Sequence, residues 1–210
     1  MNIYPVKIPY LIKSIFHKWI WCFNTSEKHI YLTFDDGPIP EITPWVLEQL
    51  NNYNAKATFF CIGDNIKKHP EVFHQIIEKG HRVGNHTYHH INGWKHTTTT
   101  YINNCHKTEL LLPDSEKTKI FRPPYGKIKR EQAKTLRKKG YKIIMWEVLS
   151  GDFDTSISAD QCIKNVLRAV NKGSIVVFHD SKKAFPRLQG ALPIILKELH
   201  QKGYVFKTIP

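Results

Sequence analysis

From Ile30 onward the chain repeats one rhythm: a short run of β-branched and aromatic residues, a turn, then a stretch with helical periodicity. Strand-like runs fall at residues 30–34, 57–60, 82–84, 120–122, 142–146, 174–178 and 204–207. Helical stretches fall near 41–52, 65–79, 98–112, 129–139, 159–171 and 191–201, and several end in glycine, as in "EKG", "KKG", "NKG" and "QKG". Strands alternating with helices imply parallel strands joined by right-handed crossovers. Seven such units without a domain break predict an α/β fold, a distorted seven-stranded (β/α) barrel, with a doubly wound open sheet as the alternative. Residues 30–210 then form one domain, preceded by an N-terminal segment, 1–29.

That segment reads as amphipathic over residues 10–21. Lys13, Ser14, His17 and Lys18 share one face; Leu11, Ile12, Ile15, Phe16, Trp19 and Ile20 fill the rest. Pro5, Pro9 and the charges interrupt it, so it shows neither a signal-peptide pattern nor a transmembrane run. It is expected to pack on the domain; the alternative is weak peripheral membrane contact through residues 10–21. The location expected from these features is cytoplasmic or peripheral to the membrane. Net charge is +13, but the lysines are spread along the chain, which fits a solvated basic surface and no nucleic-acid partner. Cys22, Cys61, Cys105 and Cys162 lie far apart and read as free thiols. Oligomeric state leaves no mark on the sequence.

In parallel β/α folds the functional face is where strands end. The first strand runs into Asp35 and Asp36, the third into "GNHTYHH" with His86, His89 and His90, and the fourth into "RPPYG" with Arg122 and Tyr125. The fifth leads to Glu147 and Asp152, the sixth to His179 and Asp180. Each has an ordinary reading taken singly: Asp-Gly-Pro is turn chemistry, a histidine cluster can be a solvated loop, and a histidine on an apolar strand can be core. Their recurrence at consecutive strand ends is what points to a site. His86 and His90, four apart, would present both rings on one side of a helical turn. Two imidazoles and one carboxylate of the aspartate pair make a catalytic zinc set, and a divalent ion offsets the repulsion between the two carboxylates. The other aspartate, beside a water activated there, can take its proton.

These stretches resemble the five motifs of the polysaccharide deacetylase family, carbohydrate esterase family four, in the family's order over nearly all of residues 30–207. "TFDDGP" resembles the first motif and implies Asp35 as general base and Asp36 as metal ligand. "HTYHH" resembles the second and implies His86 and His90 as the remaining ligands of a divalent metal, Zn2+ by default, with Co2+ or another divalent ion as the alternative. "RPPY" implies that Arg122 orients Asp35 and that the Tyr125 backbone N–H serves an oxyanion, with Pro124 and Trp146 beside the substrate. "VFH" implies His179 as general acid. The fourth motif departs from the family's Asp-x-x-Asp-Trp: in "LSGDF", Leu149 and Phe153 replace the first Asp and the Trp, while Asp152 remains to partner His179. The resemblance implies metal-dependent removal of N-acetyl groups from N-acetylglucosamine-type glycans. A non-sugar amide as substrate, or a non-catalytic role in binding an anionic polymer, are the competing readings.

Overall fold

The structure is a computed structural model that describes residues 4–113 and 119–210; residues 1–3 of the N-terminal segment lie outside it. The strands are β1 (His29–Asp35), β2 (Thr58–Cys61), β3 (Arg82–Asn85), β4 (Lys119–Phe121), β5 (Tyr141–Ile143), β6 (Val148–Leu149), β7 (Ile175–His179) and β8 (Val205–Phe206). The helices are α1 (Tyr10–Ile15), α2 (Thr43–Asn51), α3 (Gly63–Lys68), α4 (Pro70–Glu78), α5 (Thr98–Glu109), α6 (Arg130–Lys138), α7 (Ala159–Ala169) and α8 (Phe185–Gln201).

All strand pairs are parallel, in the order β5-β4-β3-β2-β1-β7-β6, with β8 added to the start of β1. This is the distorted α/β barrel, curled but not closed. β1 lies in mid-sheet, and "IYLTFD" is buried throughout, as a strand covered on both faces must be. Leu32 and Phe34 face the helices and join Phe59, Val176 and Phe178 with Leu50, Val166 and Leu192. Tyr31 belongs to a separate interior cluster with Phe60, Ile120, Ile144, Ile175 and Ile209. Each such side chain contributes roughly 1.5–3 kcal/mol by leaving water. The period-2 alternation puts Thr33 and Asp35 on the same inward face as Tyr31.

Several expected boundaries move. The single helix near 65–79 is two, because Pro70 has no N–H to donate and forces His69 out of helical geometry (φ −134°, ψ 56°). The run 142–146 ends as a strand at Ile143, and the seventh strand of the sheet path is β6, only two residues long; the C-terminal run supplies the off-path β8. Thr97 caps α5 by accepting from the Thr100 N–H. All four cysteines are free.

The largest correction is at the N-terminus. Helix covers only Tyr10–Ile15, because the flanking chain is extended and fills the gap between β5 and β6. Leu149 N donates to Val6 O (2.8 Å) and Ile8 N to Glu147 O (2.9 Å) on the β6 side. Ile20 N donates to Ile143 O (2.9 Å) and Met145 N to Ile20 O (2.7 Å) on the β5 side, and Phe23 N reaches Gly173 O (2.9 Å). The expected faces are also exchanged in part. Lys13 turns inward to Glu147 (2.6 Å), whose other oxygen accepts from Ser174, while Tyr10, Leu11 and Ile15 are 81%, 69% and 56% exposed. Glu147 is thereby held at the start of β7, away from the strand ends that carry Asp35 and His179. Among the described residues no helix is long and apolar enough to cross a membrane.

Deleting residues 1–23 removes those five backbone hydrogen bonds, each worth roughly 1 kcal/mol, and opens both sheet edges. A melting temperature lower by ~10–20 °C is expected, about 2–4 °C per kcal/mol at this size. Unchanged melting with lost binding to anionic liposomes would instead make the segment a membrane attachment.

Candidate active site

The C-terminal ends of β1 and β7 set the site, because Asp35 and His179 are register partners on these neighbouring strands. Immediately beyond, Asp36 takes a left-handed backbone (φ 83°), an uncommon state for a residue with a side chain. Its carbonyl accepts from the Asn65 side chain (2.7 Å). The following Gly37 donates its N–H to Asp180 Oδ1 (3.0 Å), and a Cβ there would lie 2.0 Å from Asp180 Oδ2, so only glycine fits. Thr43 Oγ1 donates to that same Oδ2 (2.5 Å). Asp180, which the sequence only placed after a strand, fixes this turn from below. Burial and the nearby Asp36 charge push its carboxyl up to about 8.

Arg122 is fully buried and spans the barrel interior. One Nη1 donates to Asp35 Oδ1 (2.7 Å) and to Thr33 Oγ1 (2.7 Å), Nη2 donates to Met145 O (2.8 Å), and the guanidinium lies over the Phe60 ring (4.2 Å). Thr33 was not singled out in the sequence, although its even spacing from Asp35 placed it on the same face.

His86, His90 and Asp36 converge, with one ligand atom from each within 4.8 Å of the others. His90 Nε2 stands 3.2 Å and His86 Nε2 3.7 Å from Asp36 Oδ1. The rings do not meet through a helical turn as expected. Thr87 (φ 63°) and His90 (φ 53°) are left-handed, and the chain between them is a tight non-helical turn. His86 Nδ1–H donates to the Arg122 carbonyl (2.8 Å), which leaves Nε2 with its lone pair toward Asp36. Burial holds the His86 imidazole down near 4, so it is neutral and able to ligate. Asp36 Oδ1 is buried and accepts no hydrogen bond. A buried anionic acceptor without a donor, facing two imidazole nitrogens, fits a divalent cation. His89 is outside this set: it is exposed, and its ring nitrogen pairs with Asn104 (3.1 Å).

His179 Nδ1–H donates to Asp152 Oδ1 (2.8 Å), and the His179 backbone N–H to Asp152 Oδ2 (2.7 Å). Burial opposes the imidazolium, but the Asp152 charge and hydrogen bond outweigh it, with help from Asp36 and Asp35, and carry the group up to about 9. A raised pKa means that His179 is a proton donor at neutral pH; its charge-linked stabilisation is complete below ~6.5 and is lost as pH rises through about 9. Asp152→Asn is expected to return the imidazole of the metal-free protein toward its ordinary range, read by NMR titration. A midpoint that stays put would assign the shift to something other than Asp152.

Of the remaining candidates, Phe153 meets His179 in a T-shaped contact (5.3 Å between centroids) and also packs against Tyr4 (5.2 Å). Leu149 is buried in the sheet. Pro124 is buried, whereas Tyr125 is 61% exposed beside His90. Trp146 lies against Gly126 and under the Arg122 guanidinium (6.0 Å), and its indole N–H is buried without a partner.

A metal-sized cluster next to an arginine-held carboxylate and a carboxylate-backed histidine, on the strand ends of a parallel α/β half-barrel, is the arrangement of a metal-assisted hydrolase. Residues 23–144 match the polysaccharide deacetylase family, and the chain belongs to that family. It is 39% identical over 200 residues to a peptidoglycan-N-acetylglucosamine deacetylase of Bacillus cereus, covering 92% of this chain and 72% of the relative. A chitooligosaccharide deacetylase of Sinorhizobium fredii is 30% identical, with coverages of 89% and 93%. Among solved structures, a peptidoglycan N-acetylglucosamine deacetylase superposes with a TM-score of 0.86 at 35% identity, covering 97% of this chain and 95% of that one. A carbohydrate esterase family 4 pseudoenzyme from Bacillus anthracis also superposes (TM-score 0.79, 26% identity, coverages 90% and 66%), so this fold alone does not decide activity.

Proposed function

We propose that this polysaccharide deacetylase hydrolyses the N-acetyl group of N-acetylglucosamine units in a peptidoglycan-type glycan, with Zn2+ held by Asp36, His86 and His90. What supports the reading is that Asp35 and His179 are register partners, while Asp36, the next residue after Asp35, converges with His86 and His90. The relatives named for peptidoglycan support that glycan over a free chitooligosaccharide by their higher identity.

A bound divalent ion supplies Lewis acidity, polarising the amide carbonyl and making water a better nucleophile near neutral pH. The chain supplies the proton transfers. Asp35, oriented by Arg122 and Thr33, takes a proton from the attacking water. The Tyr125 backbone N–H, in a left-handed turn (φ 60°, ψ 8°), would serve the developing oxyanion. His179, charged through Asp152, gives its proton to the departing amine, leaving acetate and a glucosamine unit. Zinc-loaded protein is expected to release amine from N-acetylated peptidoglycan, more slowly from chitooligosaccharides and least from small non-sugar amides. The reverse order would favour a small-amide hydrolase.

Phe153 takes the position where the family carries Trp, and its ring meets His179 in a T-shaped contact. Phe153→Trp is expected to alter selectivity between acetyl and bulkier acyl groups while leaving metal content alone. Unchanged selectivity would place the ring outside the acyl pocket.

A further inference from the structure

The two imidazoles of the ligand set are held in different ways. His86 is buried and tied to a backbone carbonyl. His90 has a quarter of its side chain exposed and sits at a left-handed residue of a turn, where its ring needs some other restraint. On the Nδ1 side that restraint is Tyr125: His90 Nδ1 lies 3.0 Å from the phenol oxygen, and the rings meet edge to face at 4.5 Å. Tyr125 is itself unusual. A bulky residue in the left-handed region costs on the order of 1–2 kcal/mol, and here it is fixed between Pro124 and Gly126 by Gly126 N→Pro123 O and Lys127 N→Pro124 O bonds, both 3.0 Å. The residue is 61% exposed, so core packing does not explain the conformation. For His90 Nε2 to present a lone pair beside Asp36, Nδ1 must carry the proton and donate it to the phenol oxygen.

We infer that the Tyr125 hydroxyl is a positioning group for the metal ligand His90, fixing its tautomer and ring angle. This rests on the reading of His90 as a ligand. It also gives Tyr125 two separate tasks, the hydroxyl toward the metal site and the backbone N–H toward the oxyanion, so that one turn sets both.

Tyr125→Phe keeps the ring and the backbone and removes only the hydroxyl. Its Zn2+ affinity, measured by competition with a chromogenic chelator, is expected to fall ~10–100-fold, the usual scale for losing an outer partner of a histidine ligand. The melting temperature of the metal-free variant should stay at the wild-type value, which separates positioning from folding. In a His90→Ala background the same change should have no further effect on affinity. Wild-type affinity in Tyr125→Phe, with weakened binding in His90→Ala, would overturn the positioning role alone. Undiminished binding in His90→Ala would overturn the ligand assignment, and the positioning role with it.

Discussion

Asp35→Asn should retain its bound divalent ion and lose turnover by at least ~10², the scale expected when a general base is removed. The substitution is nearly isosteric, and the Asp35 Oδ1 contact with Arg122 becomes an amide oxygen accepting from the same Nη1. Asp36, His86 and His90 form their own cluster, so metal content has no reason to follow. Loss of turnover with full metal content separates the base from the ligands, an assignment that the doublet of aspartates cannot make by itself. A variant that keeps most of its activity would remove Asp35 from the reaction.

The second large effect concerns stability. Arg122 is wholly buried with hydrogen bonds to Asp35, Thr33 and Met145, and Asp35 is itself nearly buried. Arg122→Met fills most of the volume but strands the Asp35 carboxylate in the barrel, and breaking such a pair costs ~3–5 kcal/mol. Denaturant unfolding should show that loss. The double variant Arg122→Met/Asp35→Asn should recover a good part of it, since the stranded charge has gone. If the double variant is no more stable than the single one, the cost lies in Arg122's bonds to Thr33 and Met145 rather than in the ion pair.

The strand rhythm made the parallel sheet legible, and most of the polar residues after the strands come together at its C-terminal end. What the sequence hid was geometry that depends on distant contacts. Glu147 looked like a rim residue because it follows a strand-like run, yet Lys13 and Ser174 hold it at the start of β7. The N-terminal periodicity suggested a longer helix with its lysines outward. The open edges of β5 and β6 demand extended chain instead, and a partner for Lys13 outweighs the exposure of Leu11 and Ile15. His86 and His90 meet as their spacing suggested, but through left-handed turn residues that helical periodicity cannot describe. β6 is too short to register as a strand, and Tyr125's contact with His90 joins residues 35 positions apart.

On the proposed mechanism, Asp36, His86 and His90 hold the ion on which deacetylation depends. Elemental analysis of purified wild type, His86→Ala, His89→Ala and His90→Ala, paired with amine release from N-acetylated peptidoglycan, tests this. About one divalent ion per chain is expected in wild type and His89→Ala, with occupancy and turnover falling together in the other two. Metal and activity retained in His90→Ala but lost in His89→Ala would contradict the ligand set.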